Sequence, residues 1–226
     1  MANKELKKAV YTMIFGDYDN LKEPIAISKN WDHILFTNNK KIKSKNWDIR
    51  YIEDSSLPNS RLARKVWTLH HKYLPDYDLS MMMGGQIQMV SDADYILNKL
   101  MPNDDDIDVS MAKHPNRNCI YKEAEIVANR RRDEPKIIKA QMARYKKDGY
   151  PENNGMVACG VIIRKHRPNV ARHNELVWEE ICKGSLRDQL SFNYVLWKHN
   201  LINIHQFDYN IIRGKVDNCF KKYAHK

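Results

Sequence analysis

The chain has 226 residues, a formal net charge of +10 and 42% hydrophobic residues. This composition excludes a disordered tail, and the length is sufficient for one domain, residues 1–226, with a full hydrophobic core. No apolar run approaches the roughly 18 residues that a membrane span needs, so we expect no integral membrane segment. The basic excess favours an acidic partner, such as nucleotide phosphates, nucleic acid or an anionic glycan.

The four cysteines are widely spaced and form no CxxC pair; they are Cys119, Cys159, Cys182 and Cys219. This spacing argues against a zinc site and a disulfide framework and favours reduced thiols. The apolar run near the start is too short for the core of a signal peptide. We therefore expect a cytoplasmic protein.

Hydrophobic patterning predicts strands and helices that alternate along the chain. Strands are expected at 8–15, 33–37, 47–52, 77–83, 109–113 and 157–163, with one or two more within 202–212. Helices are expected at 60–73 with Ser60 as N-cap, at 92–100, over 119–147 with an interruption at Pro135, at 174–182 and at 187–200. This order indicates an α/β protein with parallel strands, and the basic end of the chain is expected to be mobile.

Open α/β sheets bind ligands at the carboxyl ends of their strands, so the segments that follow strands are the informative ones. These are residues 16–19, Thr37 with Asn38, Gly84 with Gly85, Lys113 with His114, and the segment after Cys159. The sequence contains no GxGxxG motif, no P-loop and no GxSxG elbow. Dehydrogenase, P-loop ATPase and serine hydrolase functions therefore lose support.

Seven motifs follow one another in a fixed order. They are GDYD at 16–19, PNSRLARK at 58–65, LPDYD at 74–78, HPNRNCIYKE at 114–123, QMARY at 141–145, GVIIRKH at 160–166 and RDQLSF at 187–192. The set resembles a glycosyltransferase-like family that occurs in bacteria, plants and viruses and is linked to surface polysaccharides. The segments NNGMVACGVIIRKH and RDQLSFNYV are also similar to glycogenin-like galactosyltransferases.

The resemblance implies a GT-A-like (Rossmann-type) fold, with a mixed, mostly parallel sheet flanked by helices. It also implies a hexosyl- or pentosyltransferase that moves a sugar from a nucleoside-diphosphate sugar donor to a hydroxyl acceptor. The donor-binding residues it implies are Thr12, Phe15, Asp17, Tyr18, Asp19, Arg61, Arg64 and Lys65. An aromatic ring can stack on a base, a carboxylate can bind ribose hydroxyls, and cations can stabilise a diphosphate leaving group.

The same resemblance implies catalytic roles for Asp188 and Gln189. It assigns contacts with the sugar or the acceptor to His114, Arg117, Glu123, Arg187 and His166. Structural explanations stand beside these roles: Arg117 can form a salt bridge with a glutamate, and Asp188 can simply stabilise the start of a helix. Glu123 and Glu125 point to different sides of a helix, so only one is expected to enter the site.

The metal cofactor is where the chain departs from the family pattern. The family carries an acidic residue just before a glycine, whereas this chain has Gly84 before Gly85. Mn²⁺ or Mg²⁺ therefore lacks its expected ligand. Asp92 and Asp94 form a literal DxD and are weak metal candidates, because capping of a helix explains them better. The remaining options are a carboxylate supplied by Asp108, Asp188 or Asp208, or Arg and Lys side chains that neutralise the diphosphate without a metal.

The sequence leaves several classes of acceptor open. Basic clusters recur at 40–45, 130–132, 144–147, 164–172 and 221–222. One hypothesis is a hydroxylated base in DNA, as in phage-type DNA modification, because such clusters follow phosphates and the base must be flipped out. A surface glycan and a lipid-linked acceptor at an anionic membrane face are alternatives, as is a lysine-rich surface that only maintains solubility. A further alternative is a catalytically inactive GT-A-like domain that binds nucleic acid or a sugar nucleotide.

Overall fold

The computed structural model describes residues 5–54, 56–131 and 133–226, so Arg132 of the basic cluster 130–132 lies outside the described residues. The strands are β1 (Lys8–Ile14), β2 (Asp32–Thr37), β3 (Asp48–Tyr51), β4 (Leu79–Gly84), β5 (Ile87–Met89), β6 (Val109–Lys113), β7 (Val157–Lys165), β8 (Ile204–Phe207) and β9 (Phe220–Lys222). The helices are α1 (Asn59–Thr68), α2 (His70–Tyr73), α3 (Ala93–Leu100), α4 (Ile120–Asn129), α5 (Pro135–Lys147), α6 (Pro168–Lys183), α7 (Asp188–His199) and α8 (Tyr209–Ile212).

The central sheet has the strand order β3-β2-β1-β4-β7-β6-β8. The first four of these strands run parallel, β6 and β8 are parallel to each other, and β7 runs antiparallel between β4 and β6. The predicted mixed, mostly parallel sheet is therefore confirmed. Because β7 is antiparallel, its first residues lie at the same edge of the sheet as the last residues of β4.

Side chains alternate between two hydrophobic cores, one on each face of the sheet. Tyr11 and Met82 pack into the core beneath α1 and α4 to α7. Val10 and Met81, their neighbours in sequence, pack into the opposite core with α3 and α8. Strands that are buried on both faces read as continuous apolar runs, which is why the sequence shows β4 and β7 so clearly.

Two predicted helix boundaries are wrong. Ser60 is not an N-cap, because α1 begins at Asn59 and its N-cap position is Pro58, which makes no side-chain capping bond. The helical pattern over 60–73 is divided at Leu69, which separates α1 from α2. The predicted interruption of the helical region 119–147 is confirmed, because α4 ends at Asn129 and Pro135 begins α5, where a proline at the first helical position loses no hydrogen bond.

The end of the chain is ordered, contrary to the mobile end that was expected. β9 pairs antiparallel with β5, and the backbone N–H of Tyr223 donates to the Gln86 carbonyl at 2.9 Å. Phe220 is almost fully buried and anchors this pairing in the core. No helix in the described ranges is both long and apolar enough to cross a membrane.

Candidate active site

A cleft of about 540 Å³ opens at the edge of the sheet where β1 and β4 end and β7 begins. The first turns of α1 and α7 also face it. Its polar lining consists of Tyr18, Asp19, Asn59, Ser60, Arg64, Gln86, His114, Arg117, Glu123, Cys159, Arg187, Asp188, Gln189, Tyr209, Lys222 and His225. The cleft therefore lies at the edge where open α/β sheets bind ligands.

Asparagine side chains hold the turn that follows β1. Gly16 has a φ of +64°, and a Cβ there would lie 2.5 Å from Nδ2 of Asn59, so this position requires glycine. The Gly16 N–H donates to Oδ1 of Asn38 at 2.7 Å, and Nδ2 of Asn38 donates to Oδ1 of Asn59 at 2.8 Å. These bonds join the ends of β1 and β2 to the start of α1 and position residues 16–19 at the mouth of the cleft.

The mouth combines an exposed ring with a buried carboxylate. Tyr18 is 64% exposed, and its ring centroid lies 5.0 Å from that of His225. Asp19 is buried, and its carboxylate oxygens lie 3.0 and 3.1 Å from Nδ1 of His225. A Cβ at Gly85 would come within 3.1 Å of Oδ2 of Asp19, so the glycine makes room for this carboxylate. Such a pair of groups can stack on a base and bind hydroxyls.

Arg64 and Asp188 meet on the floor of the cleft. Nη1 of Arg64 lies 3.8 Å from Oδ2 of Asp188, and Nε of Arg64 donates to the Leu186 carbonyl at 3.2 Å. Asp188 is buried in the first turn of α7, where the helix dipole favours a negative charge. Desolvation and the nearby Asp188 carboxylate raise the pKa of the Cys159 thiol well above its usual range. The thiol is therefore a neutral lining group and not a nucleophile.

A third buried carboxylate belongs to the wall formed by α4. Glu123 is buried and forms an ion pair with Nε of Arg117. Nδ1 of His114 accepts from the backbone N–H of Arg117 at 3.0 Å. Burial and the Arg117 charge lower the pKa of His114, so this imidazole is neutral at pH 7. Glu125 is exposed and does not line the cleft, as helix geometry predicts for a residue two positions after Glu123.

The structure brings ten of the sequence-predicted site residues to the cleft. They are Phe15, Tyr18, Asp19, Arg64, His114, Arg117, Glu123, Arg187, Asp188 and Gln189. Five others do not line it. Thr12 is buried on the face of β1 that carries Val10 and Ile14, and the exposed Asp17 pairs with Lys226 at 2.6 Å.

Arg61 and Lys65 do not line the cleft, although they lie on the same helix as Arg64. Nη1 of Arg61 donates to the Ile181 carbonyl of α6 at 3.0 Å, and Nζ of Lys65 pairs with Asp54 at 3.0 Å. Both were predicted to bind the donor, but the structure places neither side chain in the cleft. Arg64 alone of the three lines the cleft.

The structure places His166 at the other end of the strands, away from the cleft. It follows the last residue of β7, and its Nε2 lies 2.8 Å from Oγ of Ser80 at the start of β4. Because a strand rises about 3.3 Å per residue, His166 is about 20 Å along the strand from Gly160 of the cleft. The prediction assumed that β7 runs parallel to β4, and its antiparallel direction reverses the end that faces the site.

Several lining residues were missed by sequence reasoning, namely Asn59, Gln86, Tyr209, Lys222 and His225. Asn59 lies within the PNSRLARK motif, and Lys222 lies within a basic cluster that was noted only for phosphate binding. His225 has no motif around it, and 206 positions separate it from its partner Asp19. The pairing of β5 with β9 brings this part of the chain to the cleft.

Residues 1–225 match the family model described as TOD1/MUCI70, glycosyltransferase-like domain. The chain belongs to this family. Among solved structures, the crystal structure of apo mouse xyloside xylosyltransferase 1 is similar to this TOD1/MUCI70 domain, with a TM-score of 0.50 over 90% of this chain and 86% of that chain. The sequence identity is 8%, so the likeness concerns the fold, and it confirms the GT-A-like architecture. No curated protein matches the chain in sequence.

GT-A-like glycosyltransferases often use a divalent metal, and the residues of this TOD1/MUCI70 domain do not fit one. β4 ends at Gly84 without a carboxylate, and Asp19 already contacts His225. Within residues 5–54, 56–131 and 133–226, no group of three or more His, Cys, Asp or Glu side chains could hold a metal ion.

Asp92 and Asp94, the two weak metal candidates, make their contacts at the start of α3 instead. Asp92 is the N-cap of α3 and accepts from the backbone N–H groups of Asp94 and Tyr95 at 2.8 and 3.3 Å, so the predicted capping is confirmed. Asp94 pairs with Lys8 at 2.5 Å and accepts from Nε1 of Trp31 at 2.8 Å. Neither residue lines the cleft.

Proposed function

We propose that this chain is a glycosyltransferase that takes a sugar from a nucleoside-diphosphate sugar and transfers it to a hydroxyl group of a glycan. The observation that carries the proposal is the pairing of Arg64 with the buried Asp188 inside the ligand-binding cleft of a TOD1/MUCI70 domain. A cation beside a buried carboxylate supplies the two charges that the transfer of a sugar from a phosphate requires.

The donor lies, in this proposal, from the mouth to the floor of the cleft. Tyr18 contacts the nucleobase, because an aromatic face can stack on any base, whereas Phe15 is 3% exposed and offers no free ring face. The Asp19 carboxylate accepts hydrogen bonds from the ribose hydroxyls. Arg64 binds the diphosphate and stabilises the negative charge that develops on it as it leaves.

The reaction itself exchanges one bond for another at the anomeric carbon. The bond from this carbon to the phosphate oxygen breaks, and its electron pair leaves with the nucleoside diphosphate. The acceptor oxygen forms the new bond, and its proton passes to the Asp188 carboxylate. Because positive charge builds on the sugar ring as the first bond breaks, a carboxylate at this position also lowers the barrier. Gln189 donates and accepts hydrogen bonds at the sugar hydroxyls.

The acceptor side is assigned to the wall formed by His114, Arg117 and Glu123. Three polar groups of fixed geometry can recognise the hydroxyls that neighbour the attacking oxygen of a glycan. The DNA acceptor, the choice between a hexose and a pentose, and the cytoplasmic location stay predictions.

A second candidate function is a domain that binds a sugar nucleotide without turning it over. Gly84 favours it, because this position lacks the carboxylate that the resemblance leads one to expect. The two functions differ in one observable. A binding domain retains intact donor, whereas a transferase releases the nucleotide slowly even when only water accepts the sugar.

A donor panel followed by an acceptor panel tests the proposal. UDP-, GDP-, dTDP- and CMP-linked sugars are first compared by their effect on the thermal unfolding midpoint and by nucleotide release. The best donor is then offered glycans or DNA that contains hydroxymethylated bases, and products are detected by mass spectrometry. The proposal predicts stabilisation and release with one donor, and a glycosylated glycan product. Stabilisation without release by any donor contradicts it and favours the binding domain.

A further inference from the structure

We infer that Lys222 and Arg187 join Arg64 at the donor diphosphate and supply the positive charge that Asp188 does not offset, and that no divalent metal is required there. This inference rests on the proposed function, because it concerns how the same cleft holds a nucleoside diphosphate. Both side chains line the cleft; Lys222 lies on strand β9, and Arg187 directly precedes α7.

Among the described residues, no three His, Cys, Asp or Glu side chains are grouped so that they could hold a metal ion. Mg²⁺ and Mn²⁺ prefer several oxygen ligands, usually with one or two carboxylates among them. Asp19 is the carboxylate closest to the end of β4, and His225 already lies against both of its oxygens. A diphosphate at this edge of the sheet must therefore be neutralised by other means.

The lining contains four Lys or Arg side chains, and two of them are already paired. Arg64 lies beside Asp188, and Arg117 is bound to Glu123. In the described part of the chain, no carboxylate lies within ion-pair distance of the other two, Arg187 and Lys222. The cleft thus holds two cations without a counter-ion, which matches the two negative charges of the diphosphate in a sugar nucleotide.

Arg187 has the character of an anion-binding group. It is half-buried, and its Nε is fully buried without a hydrogen-bond partner among the described residues. A partly desolvated guanidinium without a counter-ion carries an unfavourable free energy, which an anion bound to its accessible part in the cleft relieves. Arg187 also immediately precedes α7, so the positive end of that helix adds to its field.

Lys222 reaches the cleft because of the register of β9. Ile87 of β5 pairs with Lys222, and successive side chains of a strand point to opposite faces. Lys221 accordingly lies over the ring of Tyr223 at 5.2 Å, whereas Lys222 lines the cleft and donates from Nζ to the Tyr209 hydroxyl at 2.7 Å. The hydrogen bond to a neutral hydroxyl orients the ammonium and leaves its charge available.

Calorimetric titration with UDP, GDP and dTDP, each in EDTA and in MnCl₂, tests the inference on the full chain. The variants are Lys222→Met and Arg187→Met, with Lys221→Met as the matched control and the thermal midpoint as the folding check. Arg187→Lys is a second variant in case loss of the half-buried side chain impairs folding, and it is expected to retain part of the affinity.

We expect one nucleotide to bind with affinities that agree within about twofold between EDTA and Mn²⁺. Each cleft variant raises its Kd about tenfold or more, and Mn²⁺ does not restore it, whereas Lys221→Met changes it by less than about twofold. Binding that requires Mn²⁺, or that is unchanged in both cleft variants, overturns the inference and leaves the proposed function standing. Binding of none of the three nucleotides overturns the inference together with the proposed donor class.

Discussion

The Arg64 guanidinium lies 3.8 Å from the Asp188 carboxylate. It also donates to the carbonyl of Leu186, which lies 122 positions further along the chain. This relationship joins the second turn of α1 to the first turn of α7 across the floor of the cleft. It places a cation beside the group that we propose to act at the anomeric carbon. Under the proposed function, the same pair of residues acts both in binding the donor and in its reaction.

Arg64→Met is expected to weaken binding of the nucleoside diphosphate about tenfold, because it removes a charge that contacts the phosphates. Arg61→Met is the matched control, since Arg61 lies on the same helix but donates to the Ile181 carbonyl outside the cleft. Titration calorimetry on both variants measures the difference. Equal effects of the two substitutions would show that Arg64 acts through the stability of α1 alone.

Tyr18→Ala is expected to raise the Kd of the nucleotide about tenfold, because stacking on a base contributes about 1–3 kcal/mol. Tyr18 is 64% exposed, so its loss should leave the unfolding midpoint unchanged. Tyr95, which is 49% exposed on α3 outside the cleft, provides the control Tyr95→Ala. An unchanged Kd in Tyr18→Ala would remove this ring from the donor site.

Glu123→Gln is expected to lower the free energy of unfolding by about 1–3 kcal/mol, because Arg117 then loses its buried ionic partner. Glu125→Gln changes an exposed residue of the same helix and should cost less than about 0.5 kcal/mol. Urea unfolding curves of the two variants measure both values. A cost for Glu125→Gln as large as that for Glu123→Gln would contradict the assigned ion pair.

Acidification is expected to destabilise the fold through its buried histidines. Burial, with a further contribution from the Arg164 charge, lowers the pKa of His166 to about 4 and that of His173 to about 3. Both values lie below the unfolded pKa of about 6.5, so the unfolded state binds more protons as the pH falls. The stabilisation is complete above pH 6.5 and is lost progressively toward the folded-state values.

Each of these histidines is expected to reduce the free energy of unfolding by about 2 kcal/mol between pH 8 and pH 5. Substitution of His173 by Leu should therefore flatten the pH dependence, whereas His199→Leu, on the exposed end of α7, should not. Urea unfolding at a series of pH values gives this comparison. A pH profile that His173→Leu leaves unchanged would show that the pKa of His173 is the same in the folded and unfolded states.

The sheet and most of the cleft could be predicted from the sequence because they depend on local patterns. Apolar runs indicated the strands, and the motifs around Arg64, Glu123 and Asp188 lie directly after strands or at the start of helices. The direction of β7 is not a local property, since a strand buried on both faces has the same pattern in either direction. His166 was therefore assigned to the wrong edge of the sheet.

The contribution of the last residues could not be predicted for a related reason. Lys222 and His225 reach the cleft through the pairing of β9 with β5, and neither strand has more than three residues. Such short strands leave almost no periodic pattern. Their position is determined by long-range contacts, such as the bond between the Tyr223 hydroxyl and Gln88 over 135 positions.

The most direct test of the account is the rate of nucleotide release from the best sugar-nucleotide donor by the unaltered chain and by Asp188→Asn. Asp106→Asn, a change in an exposed loop, is the control. We predict measurable release by the unaltered chain and the control, and a loss of at least about 100-fold in Asp188→Asn with donor affinity retained. Equal release by Asp188→Asn and the unaltered chain would contradict the proposed role of Asp188 in sugar transfer.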